Sequence, residues 1–334
     1  MPDFKRFLFV ILLVICHLAQ AGTNGFGHNV LINNFISDMV KKYNFNADEL
    51  KKLFAQVRRH QNILDAIARP AESKPWREYR PIFLTPDRLR GGLKFWQKNA
   101  ATLQRAHKIF GVPEEIIVAI IGVETRYGKH AGRYPVIDAL ATLAFDYPPR
   151  SLFFRKELRE YLLMTREEGL DPLQQKGSYA GAMGMPQFMP SSFRQYAIDF
   201  NGDGQRDLWH NPADVIGSVA NYFKKHHWKK DQPIADQVSV RGDAYKKLLG
   251  ANGQHLLKPH LSQQTLRAHG VSLPKGLPAG MKGSLIELEG KEGPEQWLVW
   301  PNFYVISQYN HSALYSMSVF QLSQQLRENR SGEE

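Results

Sequence analysis

Apolar residues recur at helical spacing along most of this chain, and the phase of that recurrence marks its elements. Phe35, Met39 and Tyr43, then Leu50, Leu53, Phe54 and Val57, fall on helical faces between 33 and 68, and Asn46 is placed to cap the second helix. Pro70 to Pro81 reads as an extended linker carrying Trp76 and Tyr79. Thr85-Pro86-Asp87 is a cap followed by proline, and the helix it starts runs through Leu89, Leu93 and Trp96. From Gly111 to Lys230 the pattern stays helical, with short turns marked by Gly and Pro. It then changes to short β-like runs, Gln237 to Val240, Leu285 to Leu288 and Trp297 to Trp300, separated by Pro274, Gly276, Pro278 and Gly280. Ser312 to Glu328 returns to helix through Leu314, Met317, Phe320, Leu322 and Leu326. The expected fold is mainly α (α+β). Its units are a helical N-terminal domain over 22–110, a core over 111–231, a small β-containing insertion over 232–300, and a strand and helix over 301–330 that return to the core. The chain shows no internal repeat or low-complexity tract.

The most apolar helix carries one acid at its end. Ile116 to Val123 is a nearly unbroken apolar run, followed by Glu124-Thr125-Arg126-Tyr127-Gly128. Pro113 suits a first helical position, Glu114 and Glu115 favour the positive end of the helix dipole, and Gly128 suits the stop. A helix apolar on every face is buried all round. A carboxyl at its negative end is therefore hard to ionise, and a raised pKa is what a general acid needs near neutral pH. A structural ion pair with Arg126 fits the same residues.

Composition narrows the setting. Lys5 and Arg6, the apolar stretch from Phe7 to Leu18, and Ala19-Gln20-Ala21 before Gly22 form a cleavable secretory signal over 1–21. The single cysteine, Cys16, lies inside it, after an Ile15 too large for a lipoprotein signal, so a soluble exported protein without membrane association is expected. The mature chain then has no thiol and no disulfide. Losing Asp3, Lys5 and Arg6 takes the formal charge from +11 to +10, which suits an anionic polymer or simply solubility. An exported chain without a recognition motif is not expected to bind nucleic acid.

Several further stretches could carry chemistry. Gly177 to Pro190 combines glycines, methionines and few charges, so backbone can approach a ligand closely beside an adaptable apolar wall. Ser178 and Gln187 offer neutral hydrogen-bonding groups for sugar hydroxyls, and Ser191-Ser192 is placed to cap the next helix. A tight helical corner with core methionines explains the same residues. Asp199-Phe200-Asn201-Gly202-Asp203-Gly204-Gln205 follows the first half of an EF-hand loop. Asp199, Asn201 and Asp203 take positions 1, 3 and 5, and Gln205 offers its carbonyl. His210 stands where the bidentate Glu belongs, and Asp214, a little further on, is a candidate to supply that carboxylate from the next helix. Calcium suits these hard oxygen ligands, while a metal-free Asx-rich turn is the alternative. Ala220-Asn221-Tyr222-Phe223, Phe303-Tyr304 and Tyr309-Asn310-His311-Ser312 with Tyr315 are aromatic-polar clusters suited to sugar rings. No zinc spacing, nucleophile elbow or phosphate loop occurs.

Gly122 to Gly128, Ile137 to Leu143, Gly177 to Gln187, the EF-hand-like loop, Ile216 to Phe223, and Pro301 to Tyr304 with Tyr309 to Ser312 together resemble the B-type lytic murein transglycosylases. The resemblance spans most of the mature chain, with 232–294 matching only loosely. It implies a lysozyme-like catalytic core. It also implies cleavage of the β-1,4 bond between N-acetylmuramic acid and N-acetylglucosamine in peptidoglycan, with formation of 1,6-anhydromuramic acid ends. It gives Glu124 as the catalytic acid and Tyr79, Ser178, Met183, Gln187, Tyr222, Tyr309 and Asn310 as groove residues. It makes Asp199, Asn201, Asp203, Gln205 and Asp214 a calcium loop. Where the family often has paired arginines, this chain has Pro149-Arg150, leaving Arg150 alone in that role. Peptidoglycan strands are the expected partner, with other cell-wall enzymes as further candidates, in the periplasm of a Gram-negative bacterium. An ordinary glycosidase uses two carboxylates, whereas this sequence offers one strong candidate, which suits a single Glu acting as acid and then base. The rivals are a hydrolytic muramidase using Asp138, Asp146 or Glu157 as second acid, and a non-catalytic peptidoglycan-binding protein.

Overall fold

The computed structural model describes residues 30–68, 74–250 and 258–331. The expected signal segment and Cys16 lie outside them. Among the described residues six helices lead into the core: α1 (Val30–Tyr43), α2 (Ala47–Phe54), α3 (Gln61–Ile67), α4 (Trp76–Phe83), α5 (Pro86–Lys98) and α6 (Ala100–Phe110). The core continues with α7 (Glu114–Thr125), strand β1 (Tyr134–Pro135), α8 (Val136–Asp146), α9 (Ser151–Glu167), β2 (Lys176–Gly177), α10 (Pro190–Tyr196) and α11 (Pro212–Lys225). Then come β3 (Ala235–Gln237), α12 (Gln263–Ala268), β4 (Ser284–Glu289), β5 (Pro294–Val299), α13 (Pro301–Tyr309) and α14 (Ala313–Ser331). The architecture is mainly α, and the described residues include an antiparallel two-stranded ribbon (β1-β2) and an antiparallel three-stranded sheet in the order β3-β5-β4.

Local sequence explains most boundaries. Asn46 Oδ1 accepts from the N–H groups of Asp48 and Glu49 at 2.8 and 3.1 Å, and Thr85 Oγ1 accepts from Arg88 N at 3.2 Å. Four local expectations are corrected. The segment after 300 begins with helix α13 rather than a strand, because Pro301 starts a turn whose Asn302, Phe303, Val305 and Ile306 are buried. Residues 76–83 are not extended: Trp76 and Tyr79 are buried one turn apart in α4, and burying them outweighs the proline at position 81. Ser191 and Ser192 sit inside the first turn of α10, and the cap is the remote Glu157, which accepts from Ser191 N at 2.9 Å and Ser191 Oγ at 2.8 Å. The first strand of the sheet lies earlier than expected, at Ala235–Gln237.

The helical core surrounds α7, whose residues from Ile116 to Val123 are all buried. Helix α14 packs against α7, α5 and α4. It is buried on two sides. Tyr315, Val319, Leu322 and Leu326 join the helical core, whereas Leu314, Met317 and Phe320 join a second cluster with the sheet and α4. Ser316, Ser318 and Ser323 are buried between these faces and return their hydroxyls to carbonyls of the preceding turn. The sheet is covered on both faces, by Ile286, Leu288 and Val299 on the α14 side and by Leu285, Leu298 and Trp300 on the other. Asn302, fully buried, clamps the crossing into the sheet by bonding Lys229 N, Lys229 O and Gln232 O. Among the described residues no helix is long and apolar enough to cross a membrane.

Candidate active site

Helix α7 presents Glu124 in its last turn, and the chain beyond it is held in an unusual conformation. Gly128 does not stop the helix. Arg126 and Tyr127 do, both left-handed at φ 50° and 61°, where a side chain costs about 1–2 kcal/mol per residue. Two capping bonds close the turn, from Arg126 N to Gly122 O and from Tyr127 N to Ile121 O. Packing holds the strained pair in place. The Tyr127 ring lies against Gly92 and Gly122, where a Cβ would meet its hydroxyl at 2.4 and 2.5 Å. That hydroxyl donates to Arg88 O at 2.9 Å. On the other side Thr125 Oγ1 donates to Met185 O at 2.8 Å, joining the helix end to the glycine-rich loop.

Glu124 keeps some contact with solvent, yet burial pushes its pKa up to about 7, against an ordinary 4.5. The Tyr315 hydroxyl donates to Glu124 Oε1 at 2.5 Å and pulls the pKa the other way. Burial, and then the charge of Glu124, hold the Tyr309 and Tyr315 hydroxyls well above their ordinary range. Two tyrosines, Tyr309 and Tyr315, thus act on the acid, and Tyr79 acts on Tyr315. Arg126 is exposed and makes no ion pair with Glu124. Tyr315, which the sequence reading placed only among groove aromatics, is the partner of the acid. The two lie 191 positions apart, and no local spacing could have joined them.

The other candidates divide by what their polar atoms do. Ser178 Oγ accepts from Ala180 N and Ala182 N at 3.3 and 3.0 Å, which leaves its proton to donate. Gln187, at φ 52°, gives its amide N–H to Ala131 O and Gly184 O, leaving its oxygen as an acceptor. Asn310 is half-buried, and its side chain forms no bond among the described residues. Tyr222 and Tyr309 use their hydroxyls on the backbone, at Gln308 O and Pro186 O, both at 2.6 Å. They act as braces, their rings 4.8 Å apart and both near Phe188. Met183 is fully buried beneath the loop, bonded through its backbone to Phe188, so Met185 rather than Met183 lies beside the end of α7. Arg150 sits in a short 3-10 turn over Pro148–Arg150, its guanidinium over the Phe153 and Phe154 rings, with no bond to the groups around Glu124.

Among the described residues no second carboxylate acts on Glu124. Asp138 accepts from His60 Nε2 and Arg58 N, both at 2.9 Å, and ties the chain before α3 to α8. Asp146 pairs with Arg59 at 2.8 Å, and Glu157 caps α10. Each of the three acids named as a second carboxylate is thus engaged in holding elements together.

The EF-hand-like loop brings Asp199, Asp203 and Asp214 together, with a ligand oxygen from each within 4.8 Å of the others. Asp199 accepts from the N–H groups of Gly202, Asp203 and Gly204, which lowers its pKa. Asp214 is fully buried in the first turn of α11 and accepts from Phe200 N, Asn201 N and Asp207 N. Burial raises its pKa and the nearby Asp199 adds to that. Asn201 bonds Asp203 through its side chain at 2.7 Å, and Gln205 N donates to Asp203 Oδ1 at 2.9 Å. His210 turns away to Asp207. Among the described residues no cation offsets these three carboxylates.

Residues 28–324 match the family described as the transglycosylase SLT domain. The chain belongs to this family. It is 44% identical over 309 residues to membrane-bound lytic murein transglycosylase B of Escherichia coli (strain K12), covering 90% of this chain and 83% of that protein. Among solved structures, soluble lytic transglycosylase SltB1 from Pseudomonas aeruginosa is 49% identical with a TM-score of 0.85, covering 90% of this chain and 99% of that one. The Escherichia coli lytic transglycosylase Slt35 in complex with calcium is 42% identical with a TM-score of 0.84, covering 92% and 96%. SltB3 from Pseudomonas aeruginosa in complex with NAG-NAM-pentapeptide is 31% identical with a TM-score of 0.78, covering 89% and 79%. The chain is thus a lytic transglycosylase with a lysozyme-like, mainly α fold.

Proposed function

We propose that this lytic transglycosylase cleaves the β-1,4 bond between N-acetylmuramic acid and N-acetylglucosamine of peptidoglycan and leaves 1,6-anhydromuramic acid ends, with Glu124 serving in turn as acid and base. The observation that carries this reading is Glu124 itself, an acid with a pKa of about 7 and Tyr315 as its hydrogen-bond partner. A group poised near neutrality can give a proton and take one back with little penalty in either direction. In the first step Glu124 gives its proton to the glycosidic oxygen as the bond from that oxygen to C1 breaks. The carbonyl oxygen of the 2-acetamido group supports C1, oriented by the Ser178 hydroxyl and the Asn310 amide. In the second step the Glu124 carboxylate takes the proton of the muramoyl 6-hydroxyl while O6 bonds to C1. The acid is restored and no water is consumed. Tyr79, Tyr222, Tyr309, Tyr315 and Gln187 shape the groove, and Arg150 is assigned to the substrate's outer part.

The loop at Asp199 fits a calcium ion, which Asp199, Asn201, Asp203, the Gln205 carbonyl and Asp214 would hold. A buried carboxylate without a counter-charge is costly, and a bound divalent cation would neutralise the cluster and stiffen the entry to α11. The calcium complex of Slt35 supports this reading. SltB3 with its NAG-NAM-pentapeptide supports a glycan-strand substrate. That polymer and the N-terminal signal pattern agree on an exported, periplasmic enzyme.

The test is the product. Purified peptidoglycan digested by the enzyme should yield anhydro-ended muropeptides by mass, and Glu124→Gln should lower their release about 10²–10⁴-fold. Reducing ends in place of anhydro ends would make the enzyme a hydrolytic muramidase. Near-normal turnover by Glu124→Gln would remove Glu124 from the chemistry.

A further inference from the structure

A crevice of about 940 Å³ opens where the start of α7, the end of α14 and the small sheet meet. Glu114 in its wall lies ten positions before Glu124 on α7, which is about 15 Å along the helix. This crevice is therefore separate from the groups around the acid. Part of its wall is Ile234, Ala235 and Asp236, at the start of β3, which is an edge strand of the sheet and runs out of the crevice at Gln237. Ile234 O accepts from Trp300 N and Val238 N donates to Gln296 O, with Asp236 opposite Leu298 between them. Antiparallel pairing alternates, so the amides of Ala235 and Gln237 point away from β5 toward the free edge.

Further along, that same edge is covered. Arg241 N donates to Gly270 O and Ser272 N to Ser239 O, both at 2.9 Å, around the bridge between Val240 and Val271. Continued, this register would set Pro274 opposite Gln237 and Gly276 opposite Ala235. Pro274 has no N–H to give, and Gly276 turns at φ 76°. The chain leaves the edge there, and both residues line the crevice instead. The outward edge of Ala235 and Gln237, in line with residues 270–272, therefore carries no backbone bond from residues 274–276.

Its charge is unbalanced. Glu114 pairs with Arg330 at 3.1 Å and Glu115 with Arg327 at 3.9 Å, so these four cancel. Asp231 and Asp236 have no cation partner among the described residues, and Asp236 accepts the Trp300 indole N–H at 2.6 Å. Lys275 on the rim offsets only one of them. We propose that this crevice binds an extended, basic peptide segment of a partner protein, which adds as a strand to β3 and turns a Lys or Arg side chain toward Asp231 and Asp236. Main-chain bonds to Ala235 and Gln237 supply the affinity and the two acids the selectivity.

The test uses an array of capped heptapeptides of randomised sequence, probed with the whole enzyme. Binders should alternate basic with β-branched residues, and the best should slow amide hydrogen exchange at Ala235 and Gln237. Gln237→Pro removes one outward N–H and none of the bonds to β5. It should weaken the best binder about tenfold while leaving peptidoglycan turnover unchanged. Methylating alternate backbone nitrogens of that peptide should weaken its binding to the unaltered enzyme by a similar factor, so the result does not depend on the variant folding. An array without binders would overturn the proposal. So would binding that is indifferent to both changes, or protection of these two amides by NAG-NAM-pentapeptide rather than by the peptides.

Discussion

Tyr315 and Glu124 form the contact on which the proposed chemistry turns, and their coupling has a definite sign. The tyrosine hydroxyl stabilises the carboxylate, so it lowers a pKa that burial has raised to about 7. Tyr315→Phe removes that stabilisation. A hydrogen bond to a charged group is worth about 1.5–3 kcal/mol, or roughly 1–2 pH units. The alkaline limb of the activity profile should move up by about that much, while kcat falls about tenfold because the carboxyl loses its orientation. A limb that stays put or moves down would show that Tyr315 does not act through Glu124. Stability provides a second readout. The folded pKa lies above the ordinary 4.5, so between pH 4.5 and 7 the folded state holds a proton that the unfolded state has released. That contribution is complete below 4.5 and is lost as pH rises through about 7. Glu124→Gln cannot ionise, and its advantage over the wild type should grow by up to about 3 kcal/mol from pH 4 to pH 8 in urea unfolding.

At the scale of elements, the end of α7 shows what the sequence could and could not reveal. The apolar run made the helix and its burial legible, because a helix without a polar face has only one place to go. Its stop was less legible: Gly128 looked suitable, but the left-handed positions are Arg126 and Tyr127. Glycines at 92 and 122 make that possible, since they leave room for the Tyr127 hydroxyl. Gly122→Ala should therefore cost about 1–3 kcal/mol by overpacking, and it should cost much less in a Tyr127→Ala background, which removes the three side-chain atoms that the added Cβ would meet at 2.5, 2.7 and 2.9 Å. An equal cost in both backgrounds, measured by denaturant midpoint, would show that the clash lies elsewhere. Residues 76–83 hid their helix for a related reason. Pro75 precedes this short segment and Pro81 lies inside it, and burial of Trp76 and Tyr79 against the sheet and α14 explains why it folds as a helix. Met183 shows the same limit for the site. The glycine-rich loop was legible as a close-approach segment, but the bonds of Met183 to Phe188 decide which methionine is buried and which faces α7.

Across the whole molecule, α14 links the parts, with one face in the helical core and another on the sheet. That dual burial explains why its apolar positions trace no single stripe in the sequence. The EF-hand-like loop does comparable work within the core. Asp214 from α11 accepts from Phe200 N and Asn201 N, so the loop and the helix that carries Tyr222 are fixed together. The loop pattern itself was legible from Asp199 to Gln205 because its ligands are contiguous. Asp214 was readable as the missing carboxylate only because it begins the next helix. If calcium fills this cluster, ligand binding to the folded state alone stabilises it by RT ln(1 + [L]/Kd), about 2.7 kcal/mol when calcium stands at 100 times its Kd. Chelation should then lower the melting temperature by several degrees, and added calcium should restore it while magnesium, which prefers a smaller octahedral site, restores it less. Asp199→Asn and Asp203→Asn should abolish the calcium response. Asp214→Asn should do so too, and should destabilise the protein even in chelator because it also weakens the bracket on Phe200 and Asn201. A melting temperature indifferent to chelator and calcium would make the loop an Asx-rich turn held by its own backbone bonds. A response in Asp199→Asn equal to that of the wild type would place the ion elsewhere.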